Sequence, residues 1–162
     1  MKKEYIQPFL QAAETIAEQY FGIPVTKSAI SLDDTLALDK EVIMAIGLRG
    51  SITGIVVIGV TQVEAEKLKT QALLMQGMDE QSEFVKGLPE GEWEKIRDSS
   101  LLEFANQVTG YVTNLYEKEK IICDITTPTT LQARQLEKYK KESVRFEVKN
   151  KLSNIVMKLY IH

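Results

Sequence analysis

The sequence predicts an α+β fold in which a mainly antiparallel sheet is packed with long helices. Three observations lead there. Apolar residues recur at helical spacing in 3–21, in 62–76 and from Trp93 onward, whereas β-branched residues crowd or alternate in 41–48, 52–60 and 144–161. The elements also come twice in one order. Helix, strand, connector, strand, turn, strand runs through about 3–60 and again through about 92–161, with the helix at about 62–76 between. Two similar halves imply an internal pseudo-twofold, a repeat of one helix followed by three strands. A single domain over 1–162 is expected, long enough to bury roughly two-thirds of its unfolded surface.

Residues 3–21 set Tyr5, Phe9, Ala12, Ala13, Ile16, Ala17 and Tyr20 along one stripe, and Gly22 and Pro24 stop the helix. Residues 26–31 alternate weakly as a strand. Two β-rich runs joined by Arg49-Gly50-Ser51 then form a hairpin. There Ile43, Ala45, Ile55 and Val57 lie opposite Val42, Met44, Val56 and Ile58, so both faces are apolar. Both need cover, from a central position in the sheet or from a second subunit. Thr61 and Glu64 make a capping box, after which Ala65, Leu68, Ala72 and Met75 recur until Gly77. Residues 78–91 read as a solvated loop within an acidic stretch, 79–98, of seven acids against three bases. Trp93 anchors the entry to a long helix that runs to about Lys120. Beyond it come the β-rich 121–127, a break at Pro128 and a polar connector through Glu142. Val144, Phe146 and Val148 form the next strand, a turn follows at Asn150, and Ile155, Met157, Leu159 and Ile161 form the last. Residues 131–151 hold seven bases against three acids, a pattern expected of a solvated run and not of a nucleic-acid site.

Composition removes several function classes. An apolar fraction of 44% with 27% charged residues is that of an ordinary globular protein. The longest near-continuous apolar run, 52–60, is about half of what a spanning helix needs, and the N-terminus lacks the apolar core of a signal peptide, so a cytoplasmic protein off the membrane is expected. Cys123 is the one cysteine and His162 the one histidine, which excludes an internal disulfide, a Cys/His zinc site and a Ser-His or Cys-His catalytic pair. No glycine loop for phosphates is present, so no metal or organic cofactor of its own is expected. Net charge −3 gives no general attraction to nucleic acid. Chemistry must run on carboxylates, amides, hydroxyls or lysines, toward a protein or a small molecule.

The organising stretch is 98–116. At about 100° per residue, Leu101, Phe104, Ala105, Val108, Val112 and Leu115 fall on one side of a helix and make it core. Opposite lie Ser99, Glu103, Asn106, Gly110, Thr113 and Glu117, so a carboxylate and an amide stand one turn apart beside small residues. Asn is unfavourable inside a helix, which suggests that something other than helix stability holds Asn106 there. Ser100-Leu-Leu-Glu103 also fits a capping box, in which Glu103 would only satisfy backbone donors. A second Glu-x-x-Asn, Glu147 and Asn150, falls in strand and turn, so the spacing is not decisive by itself.

These residues resemble the CheC/CheX family of phosphatases, which remove the phosphoryl group from the response regulator CheY in bacterial chemotaxis. The family's motif is Asp or Ser, three residues, Glu, two residues, Asn and a distant Pro. Ser99, Glu103 and Asn106 match its spacing, and Pro128 stands one residue early. Gly50, Gly54, Gly77, Gly110 and the run ITTPTTL at 125–131 also resemble it, over nearly the whole chain. Laid on the first helix, the pair meets Gln11 and Glu14, so one copy is present, similar to CheX. The resemblance implies a phospho-aspartate phosphatase acting on a CheY-like receiver domain, with Mg²⁺ held by the receiver. Asn106 would orient the attacking water, Glu103 would dock on the receiver's lysine, and Ser99, Gly110 and Thr113 would border the partner. It also implies a homodimer joined through the sheets. The alternative is a non-catalytic adaptor that binds receivers with the same fold.

Overall fold

The computed structural model describes residues 2–162, and among them seven strands form one sheet. The elements in order are α1 (Lys3–Phe21), β1 (Lys27–Asp33), β2 (Val42–Gly50), β3 (Gly54–Val60), α2 (Gln62–Met75), α3 (Glu83–Lys86), α4 (Glu92–Lys118), β4 (Cys123–Ile125), β5 (Thr129–Leu131), α5 (Ala133–Leu136), β6 (Ser143–Asn150) and β7 (Ser153–Ile161). Strands lie in the order β1-β6-β7-β3-β2-β4, with β5 also on β2, and each pair is antiparallel. Read from either edge, the order is the same: a lone strand, then a hairpin. Each lone strand, however, pairs with the other half's hairpin, β1 with β6 and β4 with β2. At the centre β3 meets β7 from Gly54 opposite Ile161 to Gly59 opposite Val156. A side chain at Gly54 would drive its Cβ into the Tyr160 carbonyl, so this join requires glycine.

Helix ends follow their local chemistry. Gly22 closes α1 in the left-handed region at φ 64°, its N–H donating to the Glu18 carbonyl. The Thr61–Glu64 capping box opens α2 with both reciprocal hydrogen bonds, 3.1 and 2.9 Å. One face of the sheet, with Met44, Ile46, Val56, Ile58, Phe146, Met157 and Leu159, packs under α1, α2 and α4. The hairpin β2–β3 is central, and its second face is roofed from within the chain: Leu36, Leu38 and Leu136 cover Ile43, Val57 and Val156.

Several expectations need correction. The 78–91 loop contains α3, capped by Ser82 with Val85 buried, and the polar connector contains β5 and α5, whose Leu136 is the buried roof residue. Met75 is exposed and Leu73 takes the inward position on α2. In the last turns of α4, Leu115 is half-buried, and Tyr116, four residues after Val112, is fully buried with its hydroxyl donating to the Tyr5 carbonyl at 2.6 Å. That helix ends at Lys118, two residues before Lys120, which has φ 60°.

Lys158 on β7 holds the roof. Alternation in a strand points it away from the helices, yet it is only 1% exposed. Its Nζ meets the Asp33 carboxylate at 2.7 Å and donates to the carbonyls of Thr35 (3.1 Å) and Ala37 (2.6 Å), which fixes the connector carrying Leu36 and Leu38. Lys158→Met would leave Asp33 charged and the Ala37 carbonyl without its donor, while the Thr35 carbonyl keeps the Ser143 hydroxyl at 3.0 Å, and urea denaturation at pH 7 should show a loss of about 3 kcal/mol. The Lys158 hydrogen bond also holds the Asp33 carboxyl below its ordinary range. Its stabilising contribution is therefore complete above the unfolded-state value of about 3.9 and disappears as pH falls through the lower folded value. Melting temperature measured from about pH 5 down to pH 2 should fall less steeply in Asp33→Asn than in the native chain.

Candidate functional site

Along α4 the inward side carries Leu101, Phe104, Ala105, Val108, Val112 and Tyr116, all buried. On the outward side Ser99, Glu103 and Asn106 are exposed, and Gly110 and Thr113 are half-buried. The helix begins at Glu92 after Gly91, about three turns before Glu103, so the capping-box reading of Ser100 and Glu103 fails. The backbone donors there are already used by the helix. Ser99 and Ser100 instead donate back to the Ile96 and Arg97 carbonyls at 2.9 and 2.6 Å. Neighbours lock this part of α4. Tyr20 donates to the Ser100 carbonyl at 2.6 Å, and its hydroxyl pKa is raised, chiefly by burial. Arg97 reaches Glu66 at 2.8 Å and Thr70 at 3.0 Å, and Lys69 reaches Asp98 at 2.9 Å. The outward face therefore stands on a fixed rail.

Facing it is an arch. β4 pairs with β2 at Leu48 to Gly50 and β5 pairs with β2 at Ile43 to Ala45, and 126–128 leave the ladder between them. Two hydrogen bonds hold the arch at Gly47: Thr126 N donates to the Gly47 carbonyl at 3.0 Å, and Gly47 N donates to Thr126 Oγ1 at 2.8 Å. A Cβ on Gly47 would come within 3.0 Å of the Thr126 methyl, so glycine lets the arch sit this close. Pro128 has no N–H to give the sheet and suits the interruption.

Between rail and arch lies a groove of about 400 Å³, lined by Ser99, Leu102, Glu103 and Asn106 on α4 and by Ile125, Thr126, Thr127 and Pro128. The fold thus brings Pro128 to the pair despite its spacing. Glu103 Oε1 accepts from Gln107 Nε2 at 3.2 Å, and among the described residues no hydrogen bond involves the Asn106 amide. A neutral amide with donor and acceptor both free, one turn from a carboxylate, can hold a water at a fixed angle. Further along, Gly110 has nothing within 4 Å of where a Cβ would stand, so internal packing does not demand glycine. Thr113 Oγ1 is turned back to the Gly110 carbonyl at 2.8 Å.

Sequence reasoning missed Leu102, Thr126 and Thr127. The one signal for the threonines is the proline splitting a β-branched run at 125–131. The second Glu-x-x-Asn is structural: Asn154 Nδ2 donates to Glu147, while Asn150 Oδ1 accepts from the backbone of Leu152 and Ser153 in the β6–β7 turn. On α1, Glu14 accepts from Ser28 Oγ at 3.1 Å. Among the described residues, no three His, Cys, Asp or Glu side chains are grouped to hold a metal, and no helix is long and apolar enough to cross a membrane.

No family model matches the sequence, and no curated protein matches it. Solved structures do. The chemotaxis protein CheX from Desulfovibrio desulfuricans is similar with TM-score 0.74 at 11% identity, covering 98% of this chain and 99% of that one. CheX in a CheX–CheY–BeF3–Mg²⁺ complex from Borrelia burgdorferi gives 0.73 at 19% identity, over 98% and 97%. A CheC-like superfamily protein from Shewanella sp. PV-4 gives 0.71 at 18% identity, over 100% and 99%. Across its full length, the chain has the α+β fold of the CheX and CheC-like chemotaxis proteins.

Proposed function

We propose that the protein is a phosphatase for the phospho-aspartate of a CheY-like receiver domain, working from the groove at Glu103 and Asn106. The observation that carries this reading is the unpaired Asn106 amide, exposed at mid-helix on a rigid rail opposite Pro128. The similar CheX seen with CheY and Mg²⁺ supports a receiver as the partner. A receiver supplies Mg²⁺ and a lysine around its phospho-aspartate, so hydrolysis lacks mainly a water in line with the breaking P–O bond. The Asn106 side-chain carbonyl accepts a hydrogen bond from that water and its NH2 donates one to the water oxygen, fixing the angle of attack. Water adds to phosphorus, the aspartate carboxylate leaves, and inorganic phosphate departs. Glu103 pairs with the receiver's lysine and sets the angle of entry. Ser99, Gly110 and Thr113 border the contact.

Asn106→Ala should lower receiver dephosphorylation by about 10²-fold or more while leaving receiver affinity nearly unchanged, since the amide acts on the transition state. Glu103→Ala should weaken docking and rate together, with a loss that shrinks as salt rises. Phosphate release undiminished in Asn106→Ala would sink the phosphatase reading and leave an adaptor.

Gly110→Ala should act in two directions. With open space at the Cβ position, it should stabilise α4 by about 0.5–1 kcal/mol in denaturation. Receiver binding, measured by titration, should weaken if that space admits the partner's backbone.

The same reading makes the protein a homodimer joined through its sheet, and β1 supports it. Among the described residues this edge strand pairs with β6 alone, and its own Ile30 and Leu32 stand 51% and 72% exposed. Sedimentation at micromolar concentration should give twice 18.3 kDa, and Leu32→Lys should return the mass to a single chain. A monomeric native chain would remove the dimer.

A further inference from the structure

On the sheet face turned away from α4, the roof of Leu36, Leu38 and Leu136 covers only part of the surface. Beside it the surface opens into a groove of about 920 Å³ whose floor and walls include Ala45, Ile55, Leu131, Leu136, Tyr139 and Tyr160. That volume is within the roughly 300–1,000 Å³ of small-molecule sites, which are mostly apolar with a few polar groups to orient the ligand.

The polar groups here are one-sided. Lys138, Lys141 and His162 line the groove with the uncharged Thr127, Thr129 and Gln135, and no carboxylate side chain lines it among the described residues. Neither lysine belongs to an ion pair among those residues. Their ammonium groups stand over aromatic rings instead, Lys138 Nζ 5.6 Å from the centre of Tyr139 and Lys141 Nζ 5.9 Å from the centre of Tyr160. A second copy of this chain, docked about a twofold, would bring the same cations toward one another, which charge opposes. An anion meets no such cost.

We propose that this groove binds a small amphiphilic anion. An apolar or aromatic body lies on Ala45, Ile55, Leu131 and Leu136, and a carboxylate, sulfonate or phosphate head is held by Lys138 and Lys141. Thr126 and Thr127 line this groove as well as the one at Asn106, so the ligand's body rests on the arch that walls both.

The test uses the whole chain and two fluorescent probes of nearly the same shape. One is 8-anilinonaphthalene-1-sulfonate, and the other, N-phenyl-1-naphthylamine, lacks the sulfonate. The sulfonate should bind saturably at about one molecule per chain, and the double variant Lys138→Glu with Lys141→Glu should weaken it by at least about tenfold while changing the neutral probe by less than about twofold. Both side chains are exposed, so the fold should be kept, and an unchanged melting temperature verifies this. Sedimentation with and without the sulfonate should give one mass. Non-saturable or multiple binding, equal weakening of both probes, or dissociation of a dimer by the sulfonate would each overturn the proposal, the last by showing a second copy on this face.

Discussion

Both faces of the sheet are apolar, and α1, α2 and α4 all lie on one of them. The rest of the structure follows from that imbalance. Burying the second face at about 25 cal/mol per Å² is left to short connectors, which must be held by something other than their own secondary structure. Lys158 does this through Asp33 and the Thr35 and Ala37 carbonyls, a charge made tolerable in the interior because each ammonium proton has an acceptor. Where the connectors end, the apolar face opens into the large basic-rimmed groove.

Crowding the helices on one side has a second effect. Packed by its inward side against the sheet and tied to α2 by Arg97 and Lys69, α4 has no freedom to roll. Its outward row is presented at a fixed height over the Thr126 arch, and a site assembled from one helix and one clamped loop keeps its angles better than a site on loops alone. Asn106 and Gly110 are both poor choices for helix stability, and both sit on that row. Stability is supplied by the opposite side, which leaves this one open to other constraints.

How much of this the sequence discloses depends on length and on periodicity. α1, α2, α4 and the strands of both hairpins are long enough to show their period, and the Thr61–Glu64 cap is legible because its chemistry is local. α3 and α5 are one turn each, too short for any stripe, and β4 and β5 are three residues each, divided by a proline. Glu103 and Asn106 can be found because they lie on one helix at a fixed spacing. Their neighbours Thr126 and Thr127 cannot, since the contact across the groove is set by the ladder with β2. Lys158 is the deepest omission. Alternation assigns it to the polar face of β7, and nothing near it in the chain tells that this face is roofed.

The exchange of lone strands between halves sets when the molecule can close. β1 is made well before its partner, since its ladder runs from Lys27 opposite Lys149 to Asp33 opposite Ser143, so it waits until β6 has been made. Contacts this far apart in sequence carry a large loop-closure cost before any return, and proteins rich in them fold slowly. β7, latest in sequence of the seven described strands, also lies at the middle of the sheet. Loss of β7 would therefore not fray an edge but part the sheet at its centre, leaving β1 with β6 on one side and β3, β2 and β4 on the other.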